Sequence, residues 1–210
     1  MIVVMARVPE PGRTKTRLIP RLGPAGAAQL SAAMTGDVFD IVRSTGLPWK
    51  VSIAGDVKHP WVRTIDTVVE PQVEGDIGAR LTHALRDGGV AIGTDAPTLP
   101  AALLREAHGS TADVVIAPAF DGGYVLVGVE AGVDVTALFA DIPWSSPDTY
   151  ASQVERTRNL ELSLRTLPFW YDIDSPADLA FIAGHLPTLP ASVAPRTRAF
   201  LEALNAAPHR

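Results

Sequence analysis

Residues 1–18 read MIVVMARVPEPGRTKTRL and predict the first strand of the fold and the loop that follows it. The run at 1–6 is apolar and Val-rich, as in a strand that is buried on both faces. Because it is too short to span a membrane and has no basic leader, we expect it to lie in the core. Pro and Gly then mark a loop, and an Ala-rich helical segment follows at 25–44. This order of strand, loop and helix is typical of the start of an α/β domain.

Strands and helices continue to alternate along the chain. Further strands are predicted at 51–54, 64–69, 90–93, 113–117, 124–129 and 162–167. Further helices are predicted at 77–86, 100–108, 147–159, 176–185 and 195–206. Asp76 is the expected N-cap of the helix at 77–86, and Asp174 or Ser175 that of the helix at 176–185. Such alternation predicts an α/β protein with a mostly parallel sheet, and the short connection before 124 predicts a mixed sheet edge.

Composition limits the classes of function. The chain has 210 residues, 47% of them hydrophobic, which favours one domain over residues 1–210. Its 18 Lys and Arg against 23 Asp and Glu give a net charge of −5, which argues against nucleic-acid binding. The absence of Cys excludes disulfides and thiolate metal sites and is compatible with a cytoplasmic protein that has no membrane partner. The sequence contains no Gly-x-Ser-x-Gly motif, which would support a hydrolase. It also contains no Gly-x-Gly-x-x-Gly motif, which would support a dinucleotide oxidoreductase.

The loop after the first strand carries several cations. Its candidate phosphate-binding residues are Arg7, Gly12, Arg13, Lys15 and Arg17. Because α/β sheets bind ligands at the carboxyl ends of their strands, this loop is in the right place to hold a polyphosphate. A solvated basic loop is the alternative, since basic residues are common on surfaces. The string GRTKT lacks the glycine spacing of a P-loop, so that motif is rejected.

Acidic residues follow two other predicted elements. Asp95 comes after the apolar run at 90–93 and precedes Pro97, so its carboxylate should face the same crevice. Asp172, Asp174 and Asp178 lie where a strand-like segment enters a helix. Carboxylates with phosphate and water suit Mg²⁺ or Mn²⁺, which prefer oxygen ligands. Turn formation and helix capping are the alternatives for these residues.

A Gly-containing turn opens the predicted helix at 77–86. It contributes Gly75, Asp76, Gly78 and Arg80 to the candidate nucleotide site. The start of a helix can meet an anion or a nucleotide base, although one Gly-x-x-Gly is weak evidence by itself.

Two further loops form a candidate acceptor pocket. They supply Asp121, Gly122, Gly123 and Tyr124 from the first loop, and Trp144 and Ser145 from the second. Paired glycines permit positive φ angles and close approach to a ligand, but they also suit a hairpin turn. An indole ring can wall a pocket, and simple packing of that ring is the alternative.

Five motifs occur in a fixed order. They are ARVPEPGRTKTRL at 6–18, GDIGARL at 75–81, GTDAP at 93–97, FDGGYVLVG at 120–128 and DIDSPADL at 172–179. Their combination resembles the bacterial DUF2064 family, also called radical-SAM/selenodomain-associated transferase 1, over nearly the whole chain. That family belongs to the glycosyltransferase-A-like superfamily of nucleotide-diphospho-sugar transferases. The resemblance implies one three-layer α/β/α, Rossmann-like domain with a mixed, mostly parallel sheet, and it implies the use of a nucleotide and a divalent metal.

The resemblance also suggests roles for particular residues. Lys15 and Arg17 match cations that hold a triphosphate, Asp95 matches the metal-binding Asp of the superfamily, and Asp174 looks like a second metal carboxylate. Lys15, Arg17 and Asp95 are therefore the expected catalytic residues. Ala6 and Thr94, at the ends of two predicted strands, complete the expected nucleotide site.

The preferred hypothesis is a metal-dependent nucleotidyl transfer from a nucleoside triphosphate to a small phosphorylated or hydroxyl acceptor, because the basic loop suits a leaving pyrophosphate. Transfer of a sugar from a nucleotide-sugar is the alternative, and a non-catalytic nucleotide- or sugar-binding protein is the third hypothesis. The expected cofactor is Mg²⁺ or Mn²⁺, and the expected state is a monomer or homodimer.

Overall fold

The structure, a computed structural model, describes residues 1–206. Its strands are β1 (Ile2–Arg7), β2 (Trp49–Ala54), β3 (Val68–Pro71), β4 (Gly89–Ile92), β5 (Val114–Pro118), β6 (Tyr124–Val129) and β7 (Leu164–Thr166). Its helices are α1 (Ile19–Ser44), α2 (Ile77–Ala84), α3 (Ala101–His108), α4 (Val135–Leu138), α5 (Thr149–Asn159), α6 (Pro176–His185) and α7 (Pro195–Ala206). Within the described range, none of the helices combines the length and the apolar composition needed to cross a bilayer.

The seven strands form one sheet in the order β3-β2-β1-β4-β6-β5-β7. β1 is parallel to β2 and β4, β2 is parallel to β3, and β5 is parallel to β7. β6 is antiparallel to both of its neighbours, β4 and β5. All strands except β6 therefore run in one direction, and their carboxyl ends meet at one edge of the sheet. The predicted α/β class and mixed, mostly parallel sheet are confirmed.

Apolar side chains cover both faces of the sheet. On β4, Val90 and Ile92 pack into the cluster that contains the buried residues of α3 and part of α1, whereas Ala91 packs into the opposite cluster with α2 and α4. Successive strand residues point to opposite faces, so one short strand contributes to both layers of the core. The result is a three-layer α/β/α arrangement.

A third apolar cluster joins α6 and α7 to the first half of α1. Leu30, Ile182 and Leu201 contribute one residue from each of these helices. Ile173, which precedes α6, is fully buried in the same cluster. Burial of Ile173 fixes the short segment that carries Asp172 and Asp174 against the rest of the fold.

A buried carboxylate ties α7 to α1. Asp37 of α1 is 1% exposed. Its Oδ2 accepts hydrogen bonds from the Thr197 amide (2.8 Å) and hydroxyl (2.7 Å), and its Oδ1 accepts one from the Arg196 amide (3.1 Å). These amides belong to the first turn of α7, where N–H groups have no partner within the helix. Asp37 therefore satisfies the start of one helix from the middle of another.

The expected helix caps are present. Asp76 accepts a hydrogen bond from the Ala79 amide at 2.8 Å and caps α2. Ser175 caps α6 in a reciprocal arrangement. Its hydroxyl accepts a hydrogen bond from the Asp178 backbone amide, and its own backbone amide donates to Asp178 Oδ2 at 2.7 Å. Because Ser175 takes the capping role, the carboxylate of Asp174 is available for other contacts.

The largest differences from the predicted elements occur in three places. The strand predicted at 64–69 is displaced to Val68–Pro71, because Val62 and Ile65 pack onto the core from a 3₁₀ turn at Val62–Thr64. α1 begins earlier than the predicted 25–44 and is broken at Gly23, which has a φ of 69°. α4 was not predicted, since four residues are too few to show a helical period.

Candidate active site at the carboxyl edge of the sheet

The ammonium of Lys15 lies between two carboxylates. Its Nζ is 2.5 Å from Asp95 Oδ1 and 2.5 Å from Asp174 Oδ1, and it donates to the Ile173 carbonyl at 2.6 Å. An ammonium has three donors, so all three are occupied. Burial lowers the pKa of Lys15, but Asp95 and Asp174 outweigh that effect and the pKa is raised overall. Lys15 is therefore a charged, fully bonded side chain at the centre of the site.

The loop after β1 holds Lys15 in this position. Lys15 itself has a left-handed backbone, with φ 48° and ψ 46°, which is uncommon for a residue other than glycine. The buried hydroxyl of Thr14 donates to the Glu10 carbonyl at 2.9 Å, and the buried side chain of Leu18 anchors the end of the loop. Contacts on both sides of Lys15 thus stabilise an unfavourable backbone conformation.

A backbone hydrogen bond brings the two acidic segments together. Asp95 follows β4, and its carbonyl accepts from the amide of Ile173 at 2.9 Å. The side chain of Ile173 is buried, so the flanking Asp174 is held beside Asp95. The structure thus places Asp95 and Asp174 side by side, but the cation between them is the ammonium of Lys15, which was expected to hold the triphosphate instead.

The two carboxylates suit a hard divalent cation that keeps other ligands. Within residues 1–206, no group of three or more His, Cys, Asp or Glu side chains forms a metal cage. However, Asp95 and Asp174 are 42% and 39% exposed, and both touch one cation at once. Mg²⁺ is commonly bound by one or two carboxylates, with water and substrate phosphates as its other ligands. The donor set therefore fits such a metal, provided that Lys15 moves aside.

A cavity of about 830 Å³ opens around this cluster. Twelve of the residues predicted from the sequence line it, namely Ala6, Arg7, Arg13, Lys15, Arg17, Arg80, Thr94, Asp95, Asp121, Tyr124, Ser145 and Asp174. They come from loops at the carboxyl ends of several strands and from α2, and its size suits a small organic ligand.

Charge is distributed unevenly around the cavity. Arg7 ends β1 and Arg80 lies on α2, and neither forms an ion pair within the described part of the chain. The Nε of Arg80 is buried and has no hydrogen-bond partner among residues 1–206. Asp121 lies in the turn between β5 and β6, two strands beyond β4. Since a buried guanidinium nitrogen requires an acceptor, an anion bound against Arg80 would supply one.

Seven predicted residues do not line the cavity. They are Gly12, Gly75, Asp76, Gly78, Gly122, Gly123 and Trp144. Asp76 is occupied as the cap of α2, and Gly12 and Gly75 adopt the positive φ angles that their turns require. These residues shape the loops that carry the lining side chains.

Trp144 is part of the packing behind the cavity wall. Its ring lies 6.3 Å from Tyr124 in an edge arrangement and 6.2 Å from Phe139. A Cβ atom at Gly78 would stand 2.7 Å from Trp144 Nε1, so the glycine allows α2 to approach the indole. The packing alternative for Trp144 is the one that the structure supports.

Gly122 and Gly123 form the turn between β5 and β6. Gly122 has a φ of 90°, and a Cβ there would collide with the carbonyl of Pro147. The Gly123 amide donates to Asp121 Oδ1 at 2.8 Å. The turn thereby leaves Asp121 Oδ2 without a hydrogen-bond partner among residues 1–206 and places Tyr124 at the start of β6.

Gln72 is a cavity residue that the sequence did not reveal. Its side-chain Nε2 donates to the backbone carbonyls of Ala6 (3.2 Å) and Ser52 (2.9 Å), and its backbone amide donates to the carbonyl of Ile53. Because both side-chain partners are carbonyls, the atom that faces them must be the NH₂ group. Its Oε1 is therefore left as an acceptor beside the cavity.

Comparisons with known proteins place this geometry in context. The family model described as "Uncharacterized protein conserved in bacteria (DUF2064)" matches residues 38–146. A protein of Desulfovibrio desulfuricans G20, provisionally named a nucleotide-diphospho-sugar transferase, has a similar structure, with a TM-score of 0.86, 28% identity and coverage of 98% of this chain and 94% of that one.

Two more distant structures share the fold. CMP:2-keto-3-deoxy-manno-octonic acid synthetase in complex with CTP has a TM-score of 0.54 at 14% identity, over 90% of this chain and 98% of that one. The Rv0371c protein of Mycobacterium tuberculosis H37Rv has a TM-score of 0.52 at 20% identity, over 86% of this chain and 95% of that one. No curated protein matches the chain. The two distant structures concern the fold alone, which is the predicted glycosyltransferase-A-like one.

Proposed function

This chain belongs to the DUF2064 family, and from that premise and the geometry of its cavity we propose that it is a metal-dependent nucleotidyltransferase. Its donor is a nucleoside triphosphate, and its acceptor is a small phosphorylated or hydroxyl compound. The observation that carries the proposal is the meeting of Lys15, Asp95 and Asp174 in one cavity, which is also lined by Arg7 and Arg80, two arginines without an ion pair among residues 1–206. A triphosphate that binds together with a metal requires carboxylates to hold the metal and cationic side chains to pair with the phosphate oxygens.

The arginines account for binding of the triphosphate. Arg7, Arg80 and Arg17 line the cavity, and only Arg17 approaches a carboxylate, with Nη1 at 3.9 Å from Asp174 Oδ2. Planar guanidinium groups pair well with phosphate oxygens. They would bind the ground-state phosphates and would also stabilise the charge that develops on a departing pyrophosphate.

Asp95 and Asp174 are the residues that would hold Mg²⁺ or Mn²⁺. When bound, the metal supplies positive charge to the phosphate oxygens and orients them for transfer. Lys15 would then give up at least one carboxylate and donate to a phosphate oxygen instead. Its catalytic role therefore depends on an exchange of partners within the site.

The transfer itself needs no protein nucleophile. An acceptor oxygen forms a bond to the α-phosphorus, the bond from that phosphorus to the bridging oxygen breaks, and pyrophosphate leaves with both electrons of that bond. When the acceptor is a hydroxyl, its proton passes to solvent. Asp121, Tyr124 and Ser145 line the cavity and are the residues proposed to position the acceptor.

Glycosyl transfer is a second candidate, favoured by the name of the Desulfovibrio desulfuricans relative. The same cations would then stabilise a departing nucleoside diphosphate. A binding protein without turnover is the third possibility, and it differs in releasing neither pyrophosphate nor nucleoside diphosphate.

Melting curves test the donor and the metal together. Nucleoside triphosphates, UDP-sugars and GDP-sugars would each be added with and without MgCl₂. We expect one nucleotide to raise Tm by about 5–10 °C in the presence of Mg²⁺, because a ligand at 100 times its Kd stabilises the native state by about 2.7 kcal/mol. Pyrophosphate release from that nucleotide then separates an enzyme from a binding protein. A shift of equal size without Mg²⁺, or no shift with any nucleotide, contradicts the proposal.

Replacement of Lys15 tests the exchange of partners. In Lys15→Met, both carboxylates lose their ammonium, so we expect Mn²⁺ to bind at least about tenfold more tightly without nucleotide. Titration followed by electron paramagnetic resonance measures the affinity directly. Lys58→Met is the matched control, because it removes the same charge from an exposed side chain that does not line the cavity. Equal affinity in wild type and Lys15→Met would show that the carboxylate pair is not the metal site.

A further inference from the structure

Two phenylalanine rings lie exposed against each other near the acidic end of the cavity. The rings of Phe120 and Phe169 have centroids 5.8 Å apart and planes inclined by 24°. Phe120 is 77% exposed and Phe169 is 54% exposed. Because burial of aromatic surface is favourable, an exposed contiguous pair commonly marks a place where a ligand binds. We refer to Phe120 and Phe169 as the aromatic platform.

The aromatic platform is built on the loops that carry the acidic side chains. Phe120 directly precedes Asp121, which lines the cavity. Phe169 begins the segment that leads to Asp172 and Asp174. The two loops are joined by a hydrogen bond from the Trp170 amide to the Pro118 carbonyl at 3.0 Å. The rings therefore lie on the two loops that also carry these carboxylates, although neither ring lines the cavity itself.

This end of the cavity is negatively charged. Asp121 and Asp174 line the cavity here, and Asp172 lies two residues before Asp174. The carboxylate of Asp121, which is not one of the proposed metal ligands, accepts hydrogen bonds and donates none, so it favours a hydroxyl group and repels a phosphate. Arg7, which suits a phosphate, lies at the end of β1, three positions from β5 in the sheet.

We propose that the aromatic platform binds the acceptor, and that the acceptor is an uncharged, hydroxyl-bearing ring compound. Its apolar face stacks on Phe120, and a hydroxyl group donates to the free oxygen of Asp121. The inference rests on the proposed function. That function allowed a phosphorylated or a hydroxyl acceptor, and the inference selects the hydroxyl compound. A sugar ring and an aromatic alcohol share this chemistry, because each combines an apolar face with hydroxyl donors.

Saturation-transfer NMR on the full chain tests the proposal. The neutral probes are methyl β-D-glucopyranoside and benzyl alcohol, and their charged counterparts are glucose 1-phosphate and phenyl phosphate. We expect at least one neutral probe to give a signal several-fold stronger than its charged counterpart. In the double variant Phe120→Ala/Phe169→Ala, that signal should fall at least about fivefold. Phe181→Ala is the matched control, since Phe181 is also 54% exposed but packs on Tyr171 and His185.

Binding of the glucoside would identify the acceptor as a sugar ring, and binding of benzyl alcohol would identify it as an aromatic alcohol. A signal from either neutral probe supports the proposal. Equal binding of the phosphorylated counterpart, an unchanged signal in the double variant, or no signal from both neutral probes would overturn it. Size-exclusion chromatography adds a further outcome, because a wild-type dimer that the double variant dissociates would assign the rings to self-association instead. The nucleotide-induced rise in Tm should persist in the double variant. Its absence from the wild type would overturn the proposed function and leave the aromatic platform to be judged by the probe signals.

Discussion

Asp95→Asn is expected to lower the rate of nucleotide turnover by about 10³-fold. The change retains the size of the side chain but removes the negative charge that would hold the metal against the phosphates. The fold should survive, because the side chain of Asp95 is 42% exposed and its structural contact to Ile173 is made by the backbone carbonyl. The measurement is pyrophosphate release from the nucleotide that gives the largest rise in Tm, at saturating Mg²⁺.

Three further variants make this measurement specific. Asp148→Asn removes the same charge at the N-cap of α5, where the side chain makes no capping hydrogen bond, and should leave the rate unchanged. Asp174→Asn should resemble Asp95→Asn, and the double variant should lose little more, because in the proposed site the two carboxylates would act on one metal. Full activity in Asp95→Asn, with an unchanged melting curve, would remove Asp95 from the proposed site.

Asp37→Ala is expected to lower the free energy of unfolding by about 3 kcal/mol. The substitution leaves the amide and hydroxyl of Thr197, which is 0% exposed, without acceptors inside the protein. It also removes the contact that satisfies the first turn of α7. For a chain of this size, such a loss corresponds to a fall in Tm of about 6–12 °C.

Asp40→Ala is the control for charge alone. Asp40 pairs with the same Arg196, but its side chain is 42% exposed, and an exposed ion pair contributes about 1 kcal/mol at most. Thermal or urea unfolding of the two variants compares them directly. Equal losses would show that burial of Asp37 and its hydrogen bonds to α7 do not govern stability.

The most regular segments were predictable from the sequence. β6, α6 and α7 have the predicted bounds of 124–129, 176–185 and 195–206, because their patterns are strong and glycine or proline lies next to them. β3 was predicted too early, since the apolar residues around Val62 pack from a 3₁₀ turn that has no clear sequence signature. Because β3 was placed too early, Gln72 was not recognised as a cavity residue. It directly follows the observed end of β3 and therefore lies at the carboxyl edge of the sheet, where the cavity is.

The convergence of the site was predictable, whereas the state of its central cation was not. Asp95 and Lys15 each follow a strand, and parallel strands bring such residues to one edge. The sequence does not show that Lys15 adopts a left-handed backbone and bonds both carboxylates, because this depends on contacts with Ile173 and Asp174 from far along the chain. Trp144 could equally have walled the pocket, and only the close approach of Gly78 shows that it packs behind it.

The hydrogen bond between the Ile173 amide and the Asp95 carbonyl has an evolutionary consequence. It places Asp174, one of the two proposed metal ligands, on the approach to α6, in a segment secured by the same apolar cluster that secures α6 and α7. A descendant that lost these helices would therefore lose the support of Asp174 as well. If Asp174 holds the metal as proposed, selection on catalysis also preserves α6 and α7.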